Sequence, residues 1–156
     1  MKKRFLVFLT PLFILALVFC ESSALAAPAP RLTNIQFIGI TSDGNHNIME
    51  KIYKGQITAK RPLKGSKLRV AVYVEGTEKT YSLRFYTKGG VDVTKQGEEF
   101  KPTQYLSGPN RIIYGKIVYM EFPLGLFSAN IIVSAEDWAP PHQKKTAFLG
   151  FLKSSQ

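Results

Sequence analysis

The segment Lys67-Leu-Arg-Val-Ala-Val-Tyr-Val-Glu75 carries the clearest structural signal in this 156-residue chain. Its residues Leu68, Val70, Val72 and Val74 alternate with residues that are mostly polar. Because successive side chains of a β-strand point to opposite faces, this period of two predicts a half-buried strand with the four apolar residues in the core. The abundance of valine favours the same structure, since β-branched side chains pack well on a pleated surface.

The residues that follow this strand predict a hairpin. Gly76-Thr77-Glu78-Lys79 suits a four-residue turn, and the segment Thr80 to Thr87 alternates again, with Tyr81, Leu83 and Phe85 on one side. We expect the two strands to pair through that turn. The outward face of the hairpin would then carry two tyrosines and two arginines, Tyr73, Tyr86, Arg69 and Arg84.

Further alternating or β-branched segments bring the total to seven or eight strands. They are Leu32 to Ile40, Gln56 to Lys60, Val91 to Val93, Arg111 to Phe122, Phe127 to Ala135 and Thr146 to Leu152. Asn47 to Lys54 fits one helical turn or a strand equally well. Short strands separated by turns, without a helical period in between, predict an all-β fold, a single antiparallel sandwich.

A succession of three features resembles the immunoglobulin-like and fibronectin-III-like sandwiches of exported bacterial proteins. The first two are Gly65 to Val74, Gly-Ser-Lys-Leu-Arg-Val-Ala-Val-Tyr-Val, and the predicted hairpin that follows it. Phe122 to Asp137, Phe-Pro-Leu-Gly-Leu-Phe-Ser-Ala-Asn-Ile-Ile-Val-Ser-Ala-Glu-Asp, resembles their Pro/Gly corner and penultimate strand. The resemblance covers roughly residues 55 to 152 and lacks the Cys-Trp-Cys core of antibody domains. It implies an immunoglobulin-like sandwich but no particular function, because this fold carries many functions.

The beginning of the chain has the composition of an export signal. Met1-Lys-Lys-Arg4 is basic, Phe5 to Phe19 is apolar, and Ala24-Leu-Ala26 suits a cleavage site. The apolar run is shorter than the roughly 20 residues of a membrane-spanning helix, so we expect cleavage after Ala26 and a periplasmic or secreted protein. Two alternatives stay open, an uncleaved membrane anchor and lipid attachment at Cys20.

The expected domain organisation follows from this cleavage site. Residues 1–26 are the signal peptide, residues 27–31 a Pro/Ala tether, residues 32–152 the sandwich domain and residues 153–156 a polar tail. Cys20 is the only cysteine, so the mature chain has no thiol. This excludes a disulfide framework, a thiolate nucleophile and a cysteine-ligated metal.

The sequence contains no recognisable catalytic or metal-binding motif. Asp43-Gly-Asn-His-Asn47 begins like a calcium loop, but Ile48 and Lys54 occupy the positions that require Gly and Glu, so we expect a polar turn instead. The two histidines, His46 and His142, are far apart in sequence. The adjacent acids in Glu98-Glu99 and Glu136-Asp137 are expected to be solvated turn residues. We therefore expect no cofactor, no bound metal and no enzymatic activity.

The chain is strongly basic, with a formal net charge of +10. Three basic residues and one acidic residue precede Ala27, so the mature chain keeps about +8. Lys51 to Arg69 contains seven basic residues and no acidic one. Such a segment favours an anionic partner, such as a lipid, lipopolysaccharide or a cell-wall polymer, and a solubilising surface is the alternative. Nucleic acid is disfavoured, because only Tyr53 interleaves with the charges.

These observations give nine candidate binding residues and a ranking of functions. The residues are Lys60, Arg61, Lys64, Lys67 and Arg69 of the basic segment, Tyr73, Arg84 and Tyr86 of the hairpin face, and Trp138. Trp138 lies in a stiff proline loop, where it either faces solvent or covers the end of the core. We expect an exported binding module for a partner protein or an anionic envelope component. The alternatives are a structural subunit of an envelope assembly (a pilus, adhesin or secretion part) joined by strand-edge pairing, and a hydrolytic enzyme without a known motif.

Overall fold

The structure, a computed structural model, describes residues 28–154. The expected signal peptide, with Cys20, and the last two residues of the expected tail lie outside the described residues. The strands are β1 (Asn34–Ser42), β2 (Glu50–Lys51), β3 (Lys67–Glu75), β4 (Arg84–Tyr86), β5 (Glu98–Ser107), β6 (Ile113–Pro123), β7 (Asn130–Glu136) and β8 (Lys144–Gly150). Three 3-10 turns lie between them, at Asp43–Asn45, Thr94–Gln96 and Leu124–Leu126.

The eight strands form two antiparallel sheets. One sheet has the order β2-β1-β3-β6-β5 and the other the order β4-β7-β8, which confirms the predicted all-β fold. The apolar faces of the two sheets meet in one core, at whose centre the ring of Phe122 lies 5.1 Å from that of Phe85 and 5.6 Å from that of Phe127. Full burial of each such side chain stabilises the fold by roughly 1.5–3 kcal/mol.

Strand β3 spans the predicted residues and lies in the middle of the five-stranded sheet. Leu68, Val70, Val72 and Val74 are all fully buried, so the predicted face is the core face. β1 pairs with one edge of β3 and β6 with the other.

The predicted hairpin between residues 67 and 87 is wrong. Because β1 and β6 occupy both edges of β3, the chain leaves its sheet after Glu75 and forms β4 beside β7 in the other sheet. During this crossing Tyr81 adopts a left-handed backbone (φ 59°) and is 87% exposed, although the alternation places it in the core. Tyr73 and Arg69 therefore do not share a face with Arg84 and Tyr86.

The other strand predictions differ from the structure in three places. β5 is absent from the sequence prediction, because none of its ten residues is buried and an unburied strand shows no apolar alternation. Gln56 to Lys60 forms only an isolated bridge between Thr58 and Gly150, and the predicted Val91 to Val93 strand only one between Tyr86 and Asp92. Asn47 to Lys54, left open by the sequence, contains the two-residue strand β2.

The loops gather at two ends of the sandwich, because neighbouring strands run in opposite directions. We name them after the chain terminus that each contains. The C-terminal end holds residues 43–49, 52–66, 87–97, 124–129 and 151–154, and the N-terminal end holds residues 28–33, 76–83, 108–112 and 137–143.

Candidate functional site

Three cations of the basic segment lie together in the connection between β2 and β3. Lys60, Arg61 and Lys64 are exposed, and none of them forms an ion pair with any residue from 28 to 154. Their charges are therefore available to a partner from solution.

The backbone under these cations is fixed by side-chain acceptors. The Glu50 carboxylate accepts the N–H of Lys60 at 2.7 Å and the N–H of Arg61 at 2.9 Å. The N–H of Lys64 donates to Ser42 Oγ at 3.1 Å. The segment thus presents its cations from an ordered backbone, although it has no regular secondary structure.

The neighbouring 43–47 segment is a polar turn, as predicted. Asp43 Oδ1 accepts the N–H groups of Gly44 (3.1 Å), Ser66 (2.9 Å) and Lys67 (2.9 Å), and Ser66 Oγ donates to Asp43 Oδ2 at 2.9 Å. These bonds, above all the one from the Lys67 N–H, lower the pKa of Asp43. The carboxylate ties the turn to the start of β3.

A fourth cation joins the group from the end of the chain. The N–H of Leu63 donates to the Leu152 carbonyl at 2.8 Å, and the N–H of Ser154 donates to the Leu63 carbonyl at 2.9 Å. This pairing places the exposed Lys153 beside the segment that carries Lys64. Sequence reasoning missed Lys153, because no local pattern links it to residues 60–64. We name Lys60, Arg61, Lys64 and Lys153 the basic corner.

Lys67 and Arg69 lie outside the basic corner and share an acidic partner from β6. The Glu121 carboxylate is 2.6 Å from Lys67 Nζ and 2.6 Å from Arg69 Nε. The Lys67 hydrogen bond lowers the pKa of Glu121, and the same bond raises the pKa of Lys67. The guanidinium of Arg69 also lies 5.3 Å from the centre of the Phe100 ring. Both cations are therefore engaged by side chains on the outer face of the five-stranded sheet.

Tyr73 lies further along this outer face and is half-buried. Its burial raises the pKa of its hydroxyl. Arg84 and Tyr86 lie on the outer face of the other sheet, where Lys144 Nζ is 5.5 Å from the centre of the Tyr86 ring. The nine candidate residues are thus divided among the basic corner, the two outer sheet faces and the Trp138 loop.

The Trp138 loop closes the N-terminal end of the sandwich. Trp138 itself is 38% exposed. The expectation that its neighbour Asp137 is a solvated turn residue is wrong, because Asp137 is only 2% exposed and forms an ion pair with Arg31. Burial raises the pKa of Asp137, but the hydrogen bonds from Arg31 and from the N–H groups of Leu32 and Ala139 outweigh it, and the net shift is downward.

A groove of about 670 Å³ lies at the same end and contains none of the predicted site residues. Tyr81, Tyr105, Ile112 and Ile113 line it, all largely exposed. Gly76 lets the N-terminal segment approach this groove. A Cβ at Gly76 (φ +91°) would lie 1.9 Å from the Arg31 carbonyl oxygen, so only glycine fits.

The described residues contain charged and hydrogen-bonding side chains but no cluster of side chains that could bind a metal ion. From Pro28 to Ser154, no group of three or more His, Cys, Asp or Glu side chains is placed to hold a metal ion. His46 lies at the C-terminal end and His142 at the N-terminal end. No helix in this part of the chain is long and apolar enough to cross a membrane.

Acid is expected to destabilise the domain. The folded state lowers the pKa of Asp43, Glu121 and Asp137. Unfolded carboxyl groups titrate near pH 4, so the stabilisation is present above about pH 4 and is lost as the pH falls through the lower folded pKa values. The thermal melting midpoint should fall as the pH is lowered from about 7 to about 2. It should fall less in Glu121→Gln, because this variant lacks one of the three carboxyl groups. A midpoint that is constant or rises towards acid would contradict these shifts.

Comparison with known proteins identifies a family for this chain, but that family has no described activity. No curated protein matches the chain at a significant level. The family model described as Domain of unknown function (DUF4879) matches residues 27–151, most of the chain. The chain belongs to the DUF4879 family.

Proposed function

We propose that this chain is an exported, non-catalytic binding module that attaches to an anionic component of the cell envelope through the basic corner. One observation carries the proposal: the corner cations are exposed and have no acidic partner in the described chain, while their backbone is held by Glu50 and Ser42.

Several cations outside the corner have an ion-pair partner among residues 28–154, whereas the corner cations have none. Lys67, Arg69, Lys79, Arg84 and Lys116 all have a carboxylate within ion-pair distance. Among residues 28–154, the only carboxylate bonded to the corner is that of Glu50, which accepts backbone N–H groups and not the charged ends of the side chains. Cations that remain unpaired on an ordered backbone add their fields, and ordering lowers the entropic cost of binding.

The proposal includes two further assignments, an immunoglobulin-like fold and export from the cell. The strand order β1-β3-β6-β5 facing β4-β7-β8 corresponds to the ABED and CFG sheets of a constant-type immunoglobulin domain, with β2 as an addition. This correspondence supports an immunoglobulin-like assignment. Export is supported by the signal-like residues before Ala27 and by a family match that begins at Ala27.

The alternative of assembly through a strand edge has weaker support. β5 lies at the edge of its sheet, but its register is interrupted by bulges at three places. Pro102 and the charged residues Glu98, Glu99 and Lys101 lie in its first half. Bulges, proline and charge are features that keep an edge strand from pairing with another chain.

Neutralising the corner should release the protein from anionic surfaces. A variant with Lys60→Gln, Arg61→Gln and Lys64→Gln is expected to bind phosphatidylglycerol vesicles about a hundredfold more weakly, because each cation near an anionic surface contributes roughly 1 kcal/mol. The exported protein is compared with this variant by vesicle sedimentation at low salt and at about 1 M salt, where the Debye length falls to about 3 Å.

The matched control removes three cations from outside the corner, with Lys88→Gln, Lys95→Gln and Arg111→Gln. Its affinity should fall less than about tenfold, since only the general attraction of the net charge is reduced. Equal losses in the two triple variants would mean that the corner is not a site. Binding that neither salt nor the corner variant weakens would also contradict the proposal.

A further inference from the structure

Three exposed apolar side chains lie beside the basic corner, at the C-terminal end of the sandwich. Ile57 is 65% exposed, Leu152 is 63% exposed and Phe148 is 43% exposed. Apolar side chains scattered singly over a surface are ordinary, but a contiguous group marks a surface that contacts something apolar. We name Ile57, Phe148 and Leu152 the apolar patch.

Backbone pairing at Gly150 brings the apolar patch together. The N–H of Gly150 donates to the Ile57 carbonyl at 2.8 Å, which places Ile57 beside the end of β8. A Cβ at Gly150 would lie 3.7 Å from Phe148 Cε1 and 3.5 Å from the Ile57 carbonyl oxygen, so the ring and residue 57 meet at this glycine. From Phe148 to Leu152 the odd-numbered residues are buried in the core, so the alternation of the chain directs Phe148 and Leu152 outward.

The same two segments carry the cations of the basic corner. Lys153 directly follows Leu152, and Lys60 lies three residues after Ile57. No cation of the corner forms an ion pair with a residue from 28 to 154. Exposed apolar side chains next to unpaired cations make this an amphipathic surface.

The composition of this surface favours a phospholipid bilayer over a protein or a soluble polyanion. Lysine is depleted in protein interfaces, whereas beside a bilayer its ammonium reaches anionic headgroups while its methylene chain stays in apolar surroundings. A soluble polyanion pairs with the cations but offers no apolar layer to the patch. Tyr53, which is also exposed, accepts the Gln56 N–H in the turn before Ile57, and tyrosine is enriched at membrane interfaces.

We propose that the apolar patch inserts into the surface of an anionic phospholipid membrane while the basic corner lies at the headgroups. This inference rests on the proposed function, because the corner supplies the attraction that brings the patch to the membrane. Apolar side chains at a bilayer surface are buried by about 5–10 Å, and the strength of binding follows both the buried apolar area and the attraction to anionic lipid. The anionic envelope component is therefore a lipid surface.

A variant with Ile57→Ser and Leu152→Ser tests the proposal, because it removes apolar area and no charge. Its affinity for phosphatidylglycerol vesicles, measured by sedimentation, should fall at least about tenfold. Its affinity for soluble dextran sulfate, a polyanion without an apolar layer, should stay within about threefold of the parent. The matched control carries Ile112→Ser and Ile113→Ser, two isoleucines about half exposed at the N-terminal end, and should keep both affinities.

The corner variant distinguishes a failure of this inference from a failure of the proposed function. It should bind both vesicles and dextran sulfate more weakly, because it lacks three charges. If the Ile57 and Leu152 variant kept the parent affinity for vesicles while the corner variant lost it, the patch would not insert, and the proposed function would stand. If the corner variant bound vesicles as the parent does, the proposed function would fail, and this inference with it.

Fluorescence shows directly whether the patch enters the bilayer. Trp138 is the only tryptophan of the chain, so Trp138→Phe gives a background in which Leu152→Trp is the single reporter. With phosphatidylglycerol vesicles its emission should shift to shorter wavelength and be quenched by brominated lipid. Ile113→Trp in the same background reports on the N-terminal end and should show neither change. Unchanged emission from Leu152→Trp in vesicle-bound protein, or equal changes in the two reporters, would overturn the proposal.

Discussion

Replacing Val72 by aspartate is expected to unfold the domain, whereas the same substitution at Tyr73 should leave it folded. Val72 is fully buried in the central strand of the five-stranded sheet, opposite Phe37 on β1 and Val118 on β6. An unpaired charge at this position costs several kcal/mol, which is comparable with the 5–15 kcal/mol stability of an ordinary domain. Tyr73 is half-buried on the outer face, where an aspartate reaches water.

The measurement is thermal and urea unfolding followed by circular dichroism. Val91→Asp is the matched control, because Val91 is 59% exposed and the same substitution there should change stability by less than about 0.5 kcal/mol. If Val72→Asp and Tyr73→Asp lowered the melting midpoint equally, the assignment of core and outer faces in β3 would be wrong.

The sequence predicts a strand well where one face of that strand enters the core. β3, β6 and β7 all show apolar alternation, and the structure places them close to the predicted bounds. β5 gives no such signal, because none of its residues is buried. Apolar alternation indicates burial of one face, so a strand without a buried face is missed by this pattern.

Strand pairing could not be obtained from the same pattern. The sequence favours a local hairpin after β3, since a short turn is the commonest link between adjacent strands. In the structure the partners of β3 are β1, about 30 residues earlier, and β6, about 50 residues later. Which strands share a sheet depends on how both apolar faces are covered at once, and a local pattern does not contain that information.

The candidate site, too, is predictable only where the signal lies in the local sequence. Composition alone identified Lys60, Arg61 and Lys64, because a run of cations is visible in the sequence. The pairing of Lys67 and Arg69 with Glu121 depends on the register between β3 and β6. Lys153 likewise joins the corner only because two distant segments lie side by side.

The buried carboxylate of Asp137 joins the N-terminal segment to the sandwich. It forms the ion pair with Arg31 and accepts the N–H groups of Leu32 and Ala139, each at 3.3 Å. The sequence suggested a tether over residues 27–31, yet Arg31 is bound here. The Thr77 N–H also donates to the Pro30 carbonyl at 2.9 Å, which holds this segment beside the groove.

Asp137→Ala is therefore expected to destabilise the domain by about 2–5 kcal/mol, because two backbone donors lose their acceptor and a buried donor without a partner costs about 1–3 kcal/mol. The adjacent Glu136→Ala serves as control, since its side chain is 43% exposed and lies 3.8 Å from Lys79. Exposed pairs of this kind contribute about 0–1 kcal/mol. Urea unfolding should separate the two variants by at least about 1 kcal/mol, and hydrogen exchange should show faster exchange at Leu32 in Asp137→Ala. Equal stabilities would mean that the Arg31 ion pair and its backbone hydrogen bonds do not hold the N-terminal segment in solution.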